Sequence, residues 1–163
     1  MGRCRLHYSY MNRIFPNIGS ERETDRLMFS LVHAAHELER RYEEALSSEG
    51  LTGPKFAALS KLVQAGRPLG LGELADELTC VRSNITQLVD RLEADGLVVR
   101  AVDHADRRTV RAAVTEIGMR RQIAGAKQVE KLLDTLSKAC SGVDLEAFER
   151  ALSCLQVEQG VSR

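Results

Sequence analysis

Apolar side chains recur every three or four positions from Leu27 through Leu31, Ala35, Leu38 and Tyr42 to Leu46. Glu37, Glu39, Arg40, Arg41, Glu43 and Glu44 fill the positions between. This spacing predicts one face of a long helix over 25–48, capped by Thr24 or Asp25 and stopped at Gly50. A second helix opens at Thr52-Gly53-Pro54, where a capping residue precedes a first-turn proline. It buries Phe56, Leu59, Leu62 and Val63 and ends at Gly66, and Arg67 to Gly70 read as a link. A short helix over 72–78 and a turn at Thr79-Cys80-Val81 follow. The next helix, over 82–94, turns Ile85, Leu88, Val89 and Leu92 inward and stops at Gly96. A short helix, a tight turn and a helix of about three turns form the outline of a helix-turn-helix.

The period then changes. Residues 97–102 and 109–115 are rich in Val, Thr and Arg, and Val110, Ala112 and Val114 alternate with Thr109, Arg111 and Ala113. Two strands joined by the polar loop 103–108 predict a hairpin wing. A long helix over 115–139 carries Val129, Leu132, Leu133, Leu136 and Cys140 on one face. A last helix starts near Asp144 and carries Leu145, Phe148, Leu152 and Leu155. The expected fold is mainly α with a small β-hairpin wing: a winged helix-turn-helix with N- and C-terminal dimerisation helices. Its parts are a flexible arm (1–23), an N-terminal dimerisation helix (24–50), the DNA-binding domain (51–118) and C-terminal dimerisation helices (119–163). The terminal helices have more apolar surface than the central unit can cover, so a two-fold homodimer is expected over a monomeric bundle.

Composition sharpens this only in places. The chain has 163 residues with 23 basic and 23 acidic side chains, so no bulk positive field draws in nucleic acid, and a local basic surface is needed. From Arg82 to Arg121 there are eight arginines against six acids, a modest bias. No apolar run approaches the roughly 20 residues that span a bilayer, and the first 20 residues lack an apolar stretch of signal-peptide length. Met11 offers a second possible start. Cys4, Cys80, Cys140 and Cys154 form no CxxC pair and no metal-ligand spacing, which fits a cytoplasmic protein with reduced thiols. No cofactor and no metal are expected. Paired carboxylates, a nucleophile with its base and a Gly-rich phosphate loop are all missing, so an enzyme is not expected.

The helix from Arg82 turns Arg82, Ser83, Asn84, Thr86 and Gln87 away from its apolar stripe. Arg pairs with guanine, Asn and Gln pair with adenine, and a Thr methyl meets thymine. They crowd the N-terminal half, the half that enters the major groove in such proteins. A solvated polar face has the same composition, so the wing matters. Arg107 and Arg108 at a hairpin tip suit a narrow minor groove, and Asp106 beside them can hold a guanidinium in place. The alternative is a winged-helix protein-interaction module without DNA binding, for which exposed aromatics and Met would be expected.

The runs Glu73-Leu74-Ala75-Asp76-Glu77-Leu78, Arg82-Ser83-Asn84-Ile85-Thr86-Gln87-Leu88-Val89-Asp90-Arg91-Leu92-Glu93 and Asp95-Gly96-Leu97-Val98 together resemble the MarR family of bacterial regulators. Asp103 with Asp106-Arg107-Arg108, and the exit Val114-Thr115-Glu116-Ile117-Gly118, match the pattern too. The resemblance covers about Leu51 to Gly118 by motif. It implies a homodimer on a pseudo-palindromic double-stranded DNA operator, usually a repressor, released by a small aromatic or phenolic effector or by an oxidant. It places Arg108 at the family's minor-groove arginine and Asp106 at its partner. Val81 departs from the pattern, which commonly has a capping Ser there, and Thr79 or Ser83 is expected to substitute. Cys80 precedes the recognition helix and is a candidate redox sensor, though its position is apolar in the family and a buried thiol is the plainer reading. Cys140 and Cys154 read as packing residues. His33 and His36 read as structural, or as lining a ligand pocket.

Overall fold

The computed structural model describes residues 23–79, 81–102 and 110–153. Its elements run α1 (Glu23–Ser47), α2 (Gly53–Ala65), β1 (Leu69–Gly70), α3 (Leu71–Glu77), α4 (Arg82–Ala94), β2 (Val98–Val102), β3 (Val110–Val114), α5 (Glu116–Ala139) and α6 (Leu145–Ser153). The expected class, mainly α with a small wing, is what is found. The link before α3 differs from expectation: Leu69 and Gly70 form a third strand, pairing with Ala112 and Arg111. The sheet is antiparallel in the order β1-β3-β2. A two-residue strand has no period to read, and it exists because β3 supplies the partner 41 to 43 residues later.

The core lies where α2, α3, α4 and the sheet meet. Leu59, Leu62, Leu74, Ile85, Leu92 and Leu97 are fully buried there. Burying each such side chain contributes about 1.5–3 kcal/mol. Phe56 and Val63, expected inside α2, are only half-buried, and Ala58 takes the inward position. Leu46 and Leu51 join the core from the α1–α2 turn, closed by the Leu51 N–H to the Leu46 carbonyl at 3.2 Å. Thr52 occupies the N-cap of α2 but its hydroxyl makes no cap bond. Glu43, ten residues earlier on α1, accepts from the Gly53 N–H at 2.9 Å instead. A carboxylate at a helix N-terminus also meets the positive end of the dipole.

On α1 the apolar stripe reaches the core only at its C-terminal end. Leu46 is buried, but Leu27 is 60% and Leu38 45% exposed. The exposed half is steadied by Arg40 and Arg41 on Glu37, with Arg40 also paired to Glu44. These guanidinium hydrogen bonds, from Arg40 first and then Arg41, lower the Glu37 pKa to about 2. Leu133 of α5 is exposed in the single chain, and so is Cys140 just past its end. Cys154 lies outside the described residues. None of the residues of α6 is buried. Asp144 caps it, accepting from the Ala147 N–H at 3.0 Å.

The α5 helix begins where the wing ends. Thr115 is its N-cap, and its hydroxyl oxygen accepts from the Gly118 N–H at 3.0 Å. Gly118 is buried, and a Cβ there would run into the Leu97 backbone carbonyl. Neither backbone can yield without moving the wing base. Gly118→Ala is therefore expected to cost about 1–3 kcal/mol of stability as overpacking, read from the urea midpoint. A midpoint equal to wild type would show that the contact is relieved at no cost.

Candidate nucleic-acid interface

α3 and α4 form the helix-turn-helix. The α4 helix has the bounds the periodicity predicts, and it buries Ile85, Val89 and Leu92 while Leu88 is half-buried. The opposite face carries Ser83, Asn84, Thr86 and Gln87, all exposed. Among the described residues no side chain hydrogen-bonds Asn84 or Gln87, so both amides are open to an incoming partner. Arg82 opens the helix, and its side chain lies outside the description. The N-cap is Val81, and among the described residues no side chain caps α4. The expectation that Thr79 or Ser83 substitutes for the family's Ser is thus corrected. Thr79 instead adopts φ 50 in the turn. A β-branched residue there stores about 1–3 kcal/mol of strain, which the packed helices on either side must hold. Cys80 lies outside the described residues.

The strands of the wing pair in register from Val98↔Val114 to Val102↔Val110, with Val98↔Val114 and Arg100↔Ala112 sharing one face. Asp106, Arg107 and Arg108 lie outside the described residues. The base of the hairpin is closed by the Thr115 N–H to the Leu97 carbonyl at 3.0 Å, and Gly96 at φ 70 turns the chain out of α4.

Ion pairs fasten this unit. Arg100 of β2 reaches back to α4, pairing with Asp90 and with Glu93, the latter at 3.0 Å. On the other side Glu73 of α3 accepts from Arg67 at 2.6 Å and from the Gly70 N–H at 3.1 Å. Arg111 of β3 stands 3.6 Å from the same carboxylate and donates to the Pro68 carbonyl at 3.4 Å. The Arg67 hydrogen bond first, then the Gly70 amide, lowers the Glu73 pKa to about 2. The sequence reading missed both fastenings. The available signal was a pair of carboxylates one turn apart on a helix, followed by arginines on strands, and long-range pairing of that kind has no periodicity.

An open groove of about 500 Å³ lies along α5 beside Phe56 of α2, lined by Ile123, Val129 and Leu133 with Gln122, Lys127 and Glu130. His33 and His36 are exposed on α1 and are not part of its lining. Among the described residues no group of acids, His and Cys is placed to hold a metal ion, and no helix is long and apolar enough to cross a membrane.

Known proteins resemble this chain in sequence, and two solved structures resemble it in fold as well. A family model described as the MarR family matches residues 51–110. The HTH-type transcriptional regulator YsmB of Bacillus subtilis (strain 168) is 33% identical over 130 residues, covering 79% of this chain and 88% of that protein. A MarR family protein from Bacillus stearothermophilus superposes with a TM-score of 0.57 at 34% identity, over 84% of this chain and 95% of that one. CouR from Rhodococcus jostii RHA1, solved bound to p-coumaroyl-CoA, gives a TM-score of 0.62 at 26% identity, over 84% and 94%.

Because the folded Glu73 pKa lies below its ordinary value of 4.5, its hydrogen bonds stabilise the fold above that pH. That stability is lost as pH falls from about 4.5 toward 2. Glu73→Gln should flatten part of the fall in urea midpoint over that window and leave the slope above it unchanged. An identical acid profile in the variant would mean the carboxylate is not held as described.

Proposed function

We propose, for a chain that belongs to the MarR family of DNA-binding transcriptional regulators, that it acts as a homodimeric repressor on a pseudo-palindromic operator. The observation that carries this reading is the division of α4: one face is buried, and the other presents Asn84 and Gln87, whose amides no described residue engages. In this reading Arg82, Ser83, Asn84, Thr86 and Gln87 meet base edges or phosphates in the major groove. The wing brings Arg107 and Arg108, positioned by Asp106, to the adjacent minor groove.

Residues 51–118 are the DNA-binding unit, 24–50 and 119–163 are the dimerisation parts, and 1–23 are an arm. Leu27 and Leu38 on α1, and Leu145 and Phe148 on α6, are 45–60% exposed in the single chain. A two-fold partner is the ordinary way to cover such surface. The α2–α5 groove is the place for a small aromatic effector, since its apolar walls suit a ring. That CouR carries p-coumaroyl-CoA supports an effector of this class. Oxidant release through Cys80 is the second route.

The test begins with duplexes selected by the purified chain from a random pool. Asn84→Ala or Gln87→Ala should each cost about 1–3 kcal/mol and relax preference at one position per half-site. Arg108→Ala should weaken binding to many sequences and flatten the salt slope by about one unit per subunit. Affinity that does not fall steeply with salt would favour the protein-binding module instead. Light scattering should give twice the 18.1 kDa chain mass. A monomer that binds the selected duplex at full strength would overturn the dimer.

A further inference from the structure

We infer that Arg100 is a positioning residue for DNA binding: its ion pairs with Asp90 and Glu93 set the angle between the recognition helix and the wing, so that both reach one duplex together. The inference rests on the proposal that helix and wing share the operator. Arg100 sits in β2 opposite Ala112, on the same face of the hairpin as Val98. Ala112 and Val98 are both buried. Arg100 follows them on that face but stays exposed, and two carboxylates one turn apart on α4 hold its side chain. Glu93 grips the residue twice, accepting from the Arg100 backbone N–H at 3.3 Å and from Nη1 at 3.0 Å. Asp90 takes Nη2. One planar guanidinium thus spans two acceptors, a task a lysine ammonium cannot copy.

The covalent link between α4 and β2 is only Asp95-Gly96-Leu97. It fixes where the strand starts and, with glycine in the middle, leaves its tilt to other contacts. A five-residue strand is about 16 Å long, so a tilt of about 10° at the base moves its far end by about 3 Å. That displacement is the length of a hydrogen bond. Arg100, midway along β2, braces the strand against it. The outer face has its own brace in Arg111, which reaches Glu73 and Pro68. The hairpin is therefore tied to both helices of the helix-turn-helix.

Charge alone makes the opposite forecast, and this separates the two accounts. Asp90 and Glu93 put two negative charges on the helix proposed to meet DNA. By simple electrostatics, neutralising them strengthens binding. By positioning, neutralising them releases Arg100 and weakens binding. Full-length wild type, Asp90→Asn/Glu93→Gln, Arg100→Ala, Arg100→Lys, Arg108→Ala and Arg100→Ala/Arg108→Ala are to be titrated with a duplex selected by the wild-type protein. The neutralised pair and Arg100→Ala should each bind about tenfold more weakly, with Arg100→Lys recovering only part of the loss. The Arg100→Ala/Arg108→Ala protein should match Arg108→Ala within about twofold, because a wing without its DNA contact has nothing left to position. Tighter binding by the neutralised pair, or losses of Arg100 and Arg108 that simply multiply, would overturn the inference. Wild-type affinity in Arg100→Ala beside a weak Arg108→Ala sinks this inference alone. Wild-type affinity in Arg108→Ala sinks the wing reading and this inference with it. The neutralised pair is nearly isosteric, so it still decides the matter if Arg100→Ala fails to fold.

Discussion

The Leu97 carbonyl accepts the Thr115 N–H at 3.0 Å, and Gly118 lies against it with no room for a side chain. Four elements meet at this point: the end of α4, the first strand of the wing, the last strand and the start of α5. The Thr115 hydroxyl lies within hydrogen-bond reach of both the Gly96 and Leu97 carbonyls, and its oxygen accepts from Gly118. Few atoms are involved, yet the junction decides where the wing leaves the recognition helix and where the long C-terminal helix begins. The buried core holds the helices together without regard to that direction, because hydrophobic burial is non-directional. Backbone hydrogen bonds and a glycine-sized gap supply the direction.

Where the chain obeys a period, the sequence could be read directly. The bounds of α4 follow from Ile85, Val89 and Leu92, and those of the two wing strands fall within a residue of expectation. Contacts between residues far apart were not legible. Strand β1 is two residues whose only reason to be extended is β3. The cap of α2 is not its own Thr52 but Glu43 from another helix. Arg100 and Arg111 counted only toward the modest positive bias from Arg82 to Arg121, and the fold engages both with acids. Side-chain types at the interface, Asn84 and Gln87 among them, were legible because they must face away from an apolar stripe that was itself legible.

This use of charge also explains how a chain of zero formal net charge presents a surface suited to DNA. Acids near the helix-turn-helix are largely occupied: Asp95 by Lys55, Asp90 and Glu93 by Arg100, Glu73 by Arg67. Exposed pairs of this kind contribute only about 0–1 kcal/mol each to stability. Their effect is on geometry and on local field, since these four acids are met by cations before phosphate arrives.

The short strand β1 has a kinetic consequence. Pairing Leu69 with Ala112 closes a loop of 43 residues, so its entropy must be surrendered before two backbone pairs return anything. The helices between them can form from local contacts. The three-stranded sheet cannot, because β1 has no partner until β3 is present. A nascent chain that stops before Val110 holds the helix-turn-helix sequence in full and still lacks the strand that joins β1 to β2, so the unit matures as a whole rather than in halves.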